Sequence, residues 1–322
     1  MVIASRARCL AALAILLAAI AFPAQAEFPD KPVRIIVPFV AGGGADAIAR
    51  VLADAMSKGL KQPVLVENRA GADSTIGSLS VAKSPPDGYT LLFGTNTGMS
   101  GAPFLHKNIG YDPVKDFTPI SRIGYFAFFI VVNPELPVRT FGELVEYARA
   151  NPGKVNYGTG NAMGVVANAL IASAEKLEMT HVPYKGEAAV MPDLLGNRVQ
   201  TLFATGFIVP HVREGKVRAI AAVLDSRSAA LPDVPTIAEA GFPQLQIRGW
   251  AGFFAPAGVP PDIAARLSKE ANDAINSPAV QEKLAQQGFV GRGSTPAELA
   301  AFTKAQLELW GAAVKQAGMQ PD

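Results

Sequence analysis

From Val33 to Val37 the chain is almost wholly apolar, bounded by Lys31-Pro32 and Pro38. A short apolar run between such borders predicts a buried parallel strand. Gly42, Gly43 and Gly44 then predict a tight turn. Beyond them a helix is expected from about Ala45, with Ile48, Leu52, Ala55 and Met56 on one side and Gly59 as its stop. Val64 to Glu67 reads as the next strand, so the chain opens as β-loop-α-β. Thr75 to Ala82 predicts a short helix halted by Pro85-Pro86, and Asp87-Gly88 a turn before a strand from Tyr89 to Phe93.

Phe126 to Val132 is strongly apolar, but Asn133-Pro134 stops it at the length of a buried strand. Thr140 and Glu143 have the spacing of a capping box ahead of Leu144, Val145 and Ala148. Val155 to Gly158 predicts a strand leading into a second glycine loop, and Ala162 to Leu177 the helix after it. Further strands are expected at His181 to Tyr184, Val199 to Phe203, Val217 to Val223 and Trp250 to Ala255, with a helix from Glu187 to Leu195. The last helix is the best specified, with Thr295 at N-cap, Pro296 at N1 and Glu298 at N3. Short strands alternating with helices predict an α/β protein with mostly parallel sheets. Residues 33–56 and 155–177 repeat one grammar of strand, glycine loop and helix.

The first residues read as an export signal. Arg6 and Arg8 precede an apolar stretch from Cys9 to Phe22, and small residues at Ala24 and Ala26 suit cleavage before Glu27. The apolar stretch is shorter than the ~20 residues of a membrane span. Cys9 lies at the start of the stretch rather than at its end, which argues against a lipid anchor. Removing 1–26 would leave no cysteine, which suits an oxidising compartment and excludes thiolate chemistry. It would also leave 27 basic and 27 acidic residues, a balance that argues against a nucleic-acid surface.

The chemistry that stands out is that of loops which hold anions. In Val37-Pro38-Phe39-Val40-Ala41-Gly42-Gly43-Gly44-Ala45-Asp46, successive backbone amides and a helix N-terminus can surround a carboxylate without any lysine or arginine. Phe39 can pack beside an apolar part of a ligand, Asp46 is expected to serve the helix end, and a methyl group at Gly43 is expected to interfere with binding. The segment matches neither the dinucleotide pattern nor a P-loop. In Tyr157-Gly158-Thr159-Gly160-Asn161-Ala162-Met163-Gly164, Thr159 can donate its hydroxyl and Asn161 can cap the next helix. Thr95, Asn96 and Thr97 follow a strand end and offer side-chain donors, and Phe203 with Thr205 offers an apolar wall and a hydroxyl. For each segment the alternative is an ordinary strand-to-helix turn.

Enzyme chemistry finds little support. His106, His181 and His211 lie in no metal-ligand motif, and His181 is expected to be structural. No serine sits in a nucleophile elbow, and Asp225, Asp233 and Glu239 form no evident metal constellation. Lys185 is expected at the surface or a lobe edge. No cofactor, metal or catalytic residue is expected.

The chain from Phe28-Pro29-Asp30-Lys31-Pro32 to the final helix resembles the Bug family of extracytoplasmic solute receptors, the receptors of tripartite tricarboxylate transporters. The resemblance is carried by VPFVAGGGAD at 37–46, VENRAGADSTIG at 66–77, SPPDGYTLLFG at 84–94, YDPVKDFTPIS at 111–121, PGKVNYGTG at 152–160, HVPYKGEAAVMPDLLGNRV at 181–199, LPDVPTIAEAG at 231–241 and GWAGFFAPAGVP at 249–260. It implies a two-lobed periplasmic solute-binding protein of Venus-flytrap architecture, with 27–125 and 252–322 as one lobe and 126–251 as the other. It also implies a monomer that holds a small organic acid in the cleft and passes it to the membrane subunits of the transporter. The implied contacts are Phe39, Ala41, Gly42, Gly43, Gly44, Ala45, Asp46, Thr95, Asn96, Thr97, Thr159, Gly160, Asn161, Ala162, Met163 and Gly164. A sensor protein that reads lobe closure is the alternative partner, and an enzyme acting on an organic acid is the third reading. The chain departs from the family at Ala41, where proline is common, at Ala204, where many relatives have aspartate, and at 161–165, where many are richer in serine and threonine. Fewer polar side chains argue for a monocarboxylate or a diacid with an apolar body over a tricarboxylate.

Overall fold

The computed structural model describes residues 28–322, of which 31–322 form one compact unit. The expected signal peptide and its cleavage point at Glu27 lie outside the described residues. The chain opens as its pattern predicts. Strand β1 (Val33–Val37) buries Val33, Ile35, Ile36 and Val37 and turns Arg34 outward. Helix α1 (Gly44–Leu60) buries Ile48, Leu52 and Met56 and exposes Arg50, Asp54 and Lys58. The helix runs past Gly59 and ends on Lys61, whose φ is 55°. Gly59 is a site of close approach instead, since a Cβ there would lie 1.6 Å from Glu270 Oε2. Strand β2 (Val64–Asn68), helix α2 (Thr75–Ala82) and strand β3 (Thr90–Thr95) follow. A π-helical turn (Thr97–Gly101) and helix α3 (Ala102–Leu105) lead to strand β4 (Phe117–Phe126).

From β4 the chain passes through Ala127 alone into β5 (Phe128–Val132), the first strand of a second sheet. That sheet is built with α4 (Phe141–Ala150), β6 (Val155–Thr159), α5 (Ala162–Glu175), β7 (Met179–Pro183), α6 (Glu187–Leu195), β8 (Thr201–Ala204), α7 (Val209–Arg213) and β9 (Arg218–Val223). The chain returns to the first sheet by β10 (Gly249–Pro256) and closes with α8 (Pro261–Asn276), α9 (Pro278–Gln286), β11 (Phe289–Gly291) and α10 (Pro296–Gln316). The strand orders are β11-β4-β10-β3-β1-β2 and β7-β6-β8-β5-β9. Two sheets, each with its own helices and apolar core, make two lobes. Ile36, Leu92, Phe117, Trp250 and Leu299 belong to one core, and Phe129, Val131, Val190, Leu194 and Leu202 to the other.

Both sheets are mixed, which corrects the expectation of mostly parallel pairing. β1 pairs parallel with β2 and β3, but β10 runs antiparallel to β3 and β4. β6 pairs parallel with β7 and β8, but β5 runs antiparallel to β8 and β9. In the first sheet the cause is the traffic between lobes: β4 carries the chain out and β10 carries it back beside it. β4 was not legible because Pro119, Ser121, Arg122 and Gly124 interrupt its alternation. Its pairing with β10 is correspondingly irregular at Ala251/Gly252 and Phe253/Phe254.

The crossing point is packed with aromatic rings. Phe126 meets Phe128, Phe93 and Phe289 edge-on with ring centres 6.2, 6.5 and 4.9 Å apart. Gly249, where the returning strand begins, faces this cluster, and a Cβ there would lie 2.2 Å from Phe128 Cε2. Phe128 is buried and would have to shift to admit the methyl. Gly249→Ala is therefore expected to destabilise the protein by about 1–3 kcal/mol, read from urea unfolding. Unchanged stability would show that the crossing can relax.

Candidate functional site

The ends of β1, β3, β6, β7 and β8 converge between the lobes, where open α/β sheets place their ligand crevices. They line a narrow cavity of about 30 Å³ that opens to solvent. Phe39, Val40, Gly43, Gly44, Ala45, Thr95, Asn96 and Thr97 line it from the first lobe. Asn161, Gly186, Glu187 and Thr205 line it from the second, and Phe126 and Phe128 form its floor at the crossing. Ala41, Gly42, Asp46, Thr159, Gly160, Ala162, Met163, Gly164 and Phe203 are not part of this lining, and Ala41 and Gly42 are exposed. Val40, Phe126, Phe128, Gly186 and Glu187 were not foreseen.

Residues outside the lining hold it in shape. Asp46 accepts hydrogen bonds from the Gly42 amide (3.0 Å), Arg50 Nε (3.1 Å) and Asn68 Nδ2 (3.0 Å). Burial would raise its pKa, but these bonds, led by Arg50, outweigh it and hold the carboxyl below its ordinary range. Asp46 thus fixes the loop as a permanent anion that is already satisfied. Asn68 Nδ2 also donates to the Phe39 carbonyl, at 3.1 Å. With the Gly42 amide used, the amides of Gly43, Gly44 and Ala45 are donors for which no described residue supplies an acceptor. In the second lobe the Thr159 hydroxyl is engaged by His181 Nε2 at 2.6 Å, and that imidazole stacks on Tyr157. Asn161 Oδ1 caps α5 by accepting from the Gly164 amide at 2.9 Å.

Asn96 has a different status. It is 2% exposed, and its Oδ1 accepts from the Trp250 amide at 3.3 Å. That contact orients the side-chain amide, and its Nδ2 is a buried donor without a partner among the described residues. The Thr95 and Thr97 side chains lie beside it in the same wall.

Opposite stands Glu187, at the first position of α6. Its Oε2 accepts from the Thr205 amide (2.8 Å) and the Thr205 hydroxyl (2.7 Å), and its Oε1 accepts from Asn161 Nδ2 (2.6 Å). No lysine or arginine lines the cavity. Burial pushes the Glu187 carboxyl from its ordinary 4.5 up to about 7, and the Thr205 and Asn161 hydrogen bonds oppose that rise only in part. Sequence reasoning placed Glu187 at a helix start and saw nothing more. The signal was the same grammar as the two glycine loops, a strand end followed by glycine and a helix start.

Missing side chains let the lobes meet. A Cβ on Gly44 would lie 2.3 Å from Thr205 Oγ1, one on Gly186 2.6 Å from Val40 Cγ2, and one on Gly101 2.7 Å from Ala162 Cβ. Gly206 fits against the Gln287 carbonyl with even less room, at 1.6 Å. Gly43 is different: its backbone is extended (φ −83°, ψ 172°), and the nearest atom to a Cβ is the Val40 carbonyl oxygen at 3.8 Å. Within this loop the protein itself constrains Gly44 by contact and Gly42 by its φ of 84°.

Comparison with known proteins adds a family to this geometry. A sequence profile described as the tripartite tricarboxylate transporter family receptor matches residues 48–319. Protein BugT of Bordetella pertussis is 35% identical over 309 residues, covering 94% of each chain. An R. palustris protein solved with adipate superposes with a TM-score of 0.89 at 31% identity, covering 92% of this chain and 100% of that one. MatC from Rhodopseudomonas palustris with bound malate gives 0.83 at 30% identity, covering 89% and 100%.

The raised pKa of Glu187 makes a stability prediction. Between pH 4.5 and about 7 the unfolded chain releases this proton while the folded chain keeps it, so stability falls as pH rises through that window. Glu187→Gln lacks the proton. The stability difference between variant and wild type is expected to shift by about 2 kcal/mol in favour of the variant from pH 4.5 to pH 8, allowing for partial solvent screening. Urea unfolding at the two pH values measures it, and parallel pH profiles would show that Glu187 is ionised throughout.

Proposed function

The chain belongs to the tripartite tricarboxylate transporter receptor family, and on that premise we propose that it is a periplasmic receptor that closes two lobes on a small carboxylate and delivers it to the membrane subunits of such a transporter. It acts by binding, not by catalysis. The observation that carries the reading is the set of uncommitted donors on the first-lobe wall. Gly43, Gly44 and Ala45, whose amides have no acceptor among the described residues, line one cavity with the buried Asn96 Nδ2, the Thr97 side chain and a Thr95 hydroxyl that already accepts from the Thr97 amide, and no basic side chain joins them. Backbone amides at a helix start, joined by a fixed carboxamide donor, suit a carboxylate. The adipate and malate held by two structural relatives are consistent with that chemistry.

Phe39, Phe126 and Phe128 would cover the ligand's apolar body, while Asp46 and the loop residues Thr159, Gly160, Ala162, Met163 and Gly164 would support the contacts around Gly42 and Asn161. We take the lobes to be 27–125 with 252–322, and 126–251. In support, β4 ends at Phe126 and β10 begins at Gly249, each within a few residues of those divisions. The receptor works as a monomer, and ligand closure exposes the face read by the membrane partner. A ligand drives closure only through its higher affinity for the closed form.

Two variants test the reading by calorimetry against mono- and dicarboxylates of two to eight carbons. Asn96→Asp keeps the acceptor for Trp250 but replaces the free donor with an acceptor, and affinity is expected to fall about 10–100-fold. Gly44→Ala sets a methyl against Thr205 Oγ1 and is expected to weaken binding about tenfold by holding the lobes apart. Failure of every carboxylate to bind the wild type would refute the receptor reading. Full affinity in Asn96→Asp would move the ligand to another site.

A further inference from the structure

The cavity carries a charge of its own sign in the wrong place for a diacid. On the first-lobe side it offers donors, as a ligand carboxylate requires. On the second-lobe side it offers the Glu187 carboxylate, held by three donor hydrogen bonds at 2.6–2.8 Å and faced by no cationic side chain in the lining. Two carboxylate oxygens present about four acceptor positions. The two Thr205 donors and the Asn161 donor take three, which leaves one for whatever enters the cavity. While Glu187 is ionised, a second ligand carboxylate at that position sets two anions side by side in a cavity whose lining holds no cation. An ammonium or a primary amide fills it by donating.

We propose that Glu187 is a specificity residue that selects a monocarboxylate whose far end donates a hydrogen bond, an amine or amide in place of the second carboxylate of a diacid. The inference rests on the receptor reading and sharpens it. The ligand lies across the cavity, its carboxylate toward the Gly43–Ala45 amides and Asn96 and its donor toward Glu187. The polarity of the site is thus set by Glu187, the one ionisable side chain among the described residues of the lining, since the amides and hydroxyls around it are neutral. Discrimination arises from mismatch as much as from attraction. Thr205 and Asn161 are positioning residues in this arrangement, for they hold the carboxylate without taking its last acceptor position.

The test is calorimetry with matched sets at pH 8, on wild type and Glu187→Gln. Each set keeps the chain length and changes one end: succinate, succinamate and β-alanine; glutarate, glutaramate and 4-aminobutanoate; adipate, adipamate and 5-aminopentanoate. In the best-binding set the wild type is expected to prefer the amide or amine over the diacid at least tenfold. Glu187→Gln is expected to bring the ratio within threefold or reverse it. Glu187→Ser, which also removes the charge, provides the same comparison should the glutamine variant fold poorly. A wild type that binds the diacid as tightly as its partners, or a ratio unchanged in both variants, overturns the role of Glu187 and leaves the receptor standing. Absence of binding by every acid, amide and amine overturns the receptor reading and this inference with it.

Discussion

A hydrogen-bond donor folded into a wall without an acceptor costs about 1–3 kcal/mol until something accepts from it. This protein places such donors at the ends of two paired strands. β1 and β3 pair directly, and their exits carry the Gly43–Ala45 amides and the Asn96 carboxamide to one surface. The loop cannot satisfy itself, because Asp46 has turned its oxygens to Gly42, Arg50 and Asn68. Asn96 cannot turn over without giving up the Trp250 amide. The fold keeps a fixed demand for an acceptor, and no adjustable cation is needed to create it. A neutral dipolar wall also binds an anion without retaining an unpaired positive charge when the anion leaves, which suits a receptor that must release its cargo.

The second constraint is how closely two lobes can approach. Glycine at 44, 101, 186 and 206 lets backbone meet side chain or backbone across the seam, and each missing Cβ removes an atom that would stand between the lobes. Their contact is therefore more a matter of shape than of attraction. The crossing at Ala127 and Gly249 supports it, for the aromatic cluster there forms both the core of the connection and the floor of the cavity. Closing the cleft excludes water from the same space in which the free donors stand, so each hydrogen bond to a ligand strengthens as the lobes meet.

What could be read from the sequence was what is decided locally. The helix start at Thr295 is complete within four residues: the Thr295 hydroxyl accepts from the Glu298 amide, and the Glu298 carboxylate accepts from Thr295 in return. β1 is an apolar run, and α1 shows its buried stripe. Gly59 misled because a glycine near a helix end has two uses, and its real neighbour, Glu270, is more than two hundred residues away. β4 was missed because bulges break its period. About half of the expected contact residues line the cavity, since strand ends and helix starts can be recognised locally. Which side of the loop faces the space depends on Asp46, whose partners Arg50 and Asn68 lie on different elements.

Asp46 and Glu187 show why composition could not reveal the character of the site. Both are acidic residues in the first turn of a helix, and both accept hydrogen bonds from neighbouring amides. Arg50 beside Asp46 makes that charge inexpensive and keeps it ionised. Glu187 has only the neutral donors of Thr205 and Asn161, so the same carboxyl becomes a group whose proton is retained to about pH 7. The difference is one guanidinium, supplied four residues along the same helix in one case and by nothing in the lining in the other. A buried carboxylate with hydrogen bonds but no cation is only half paired. In a closed receptor the remaining half can come from a proton or from the ligand, and a ligand that supplies it binds by completing the protein's own charge balance.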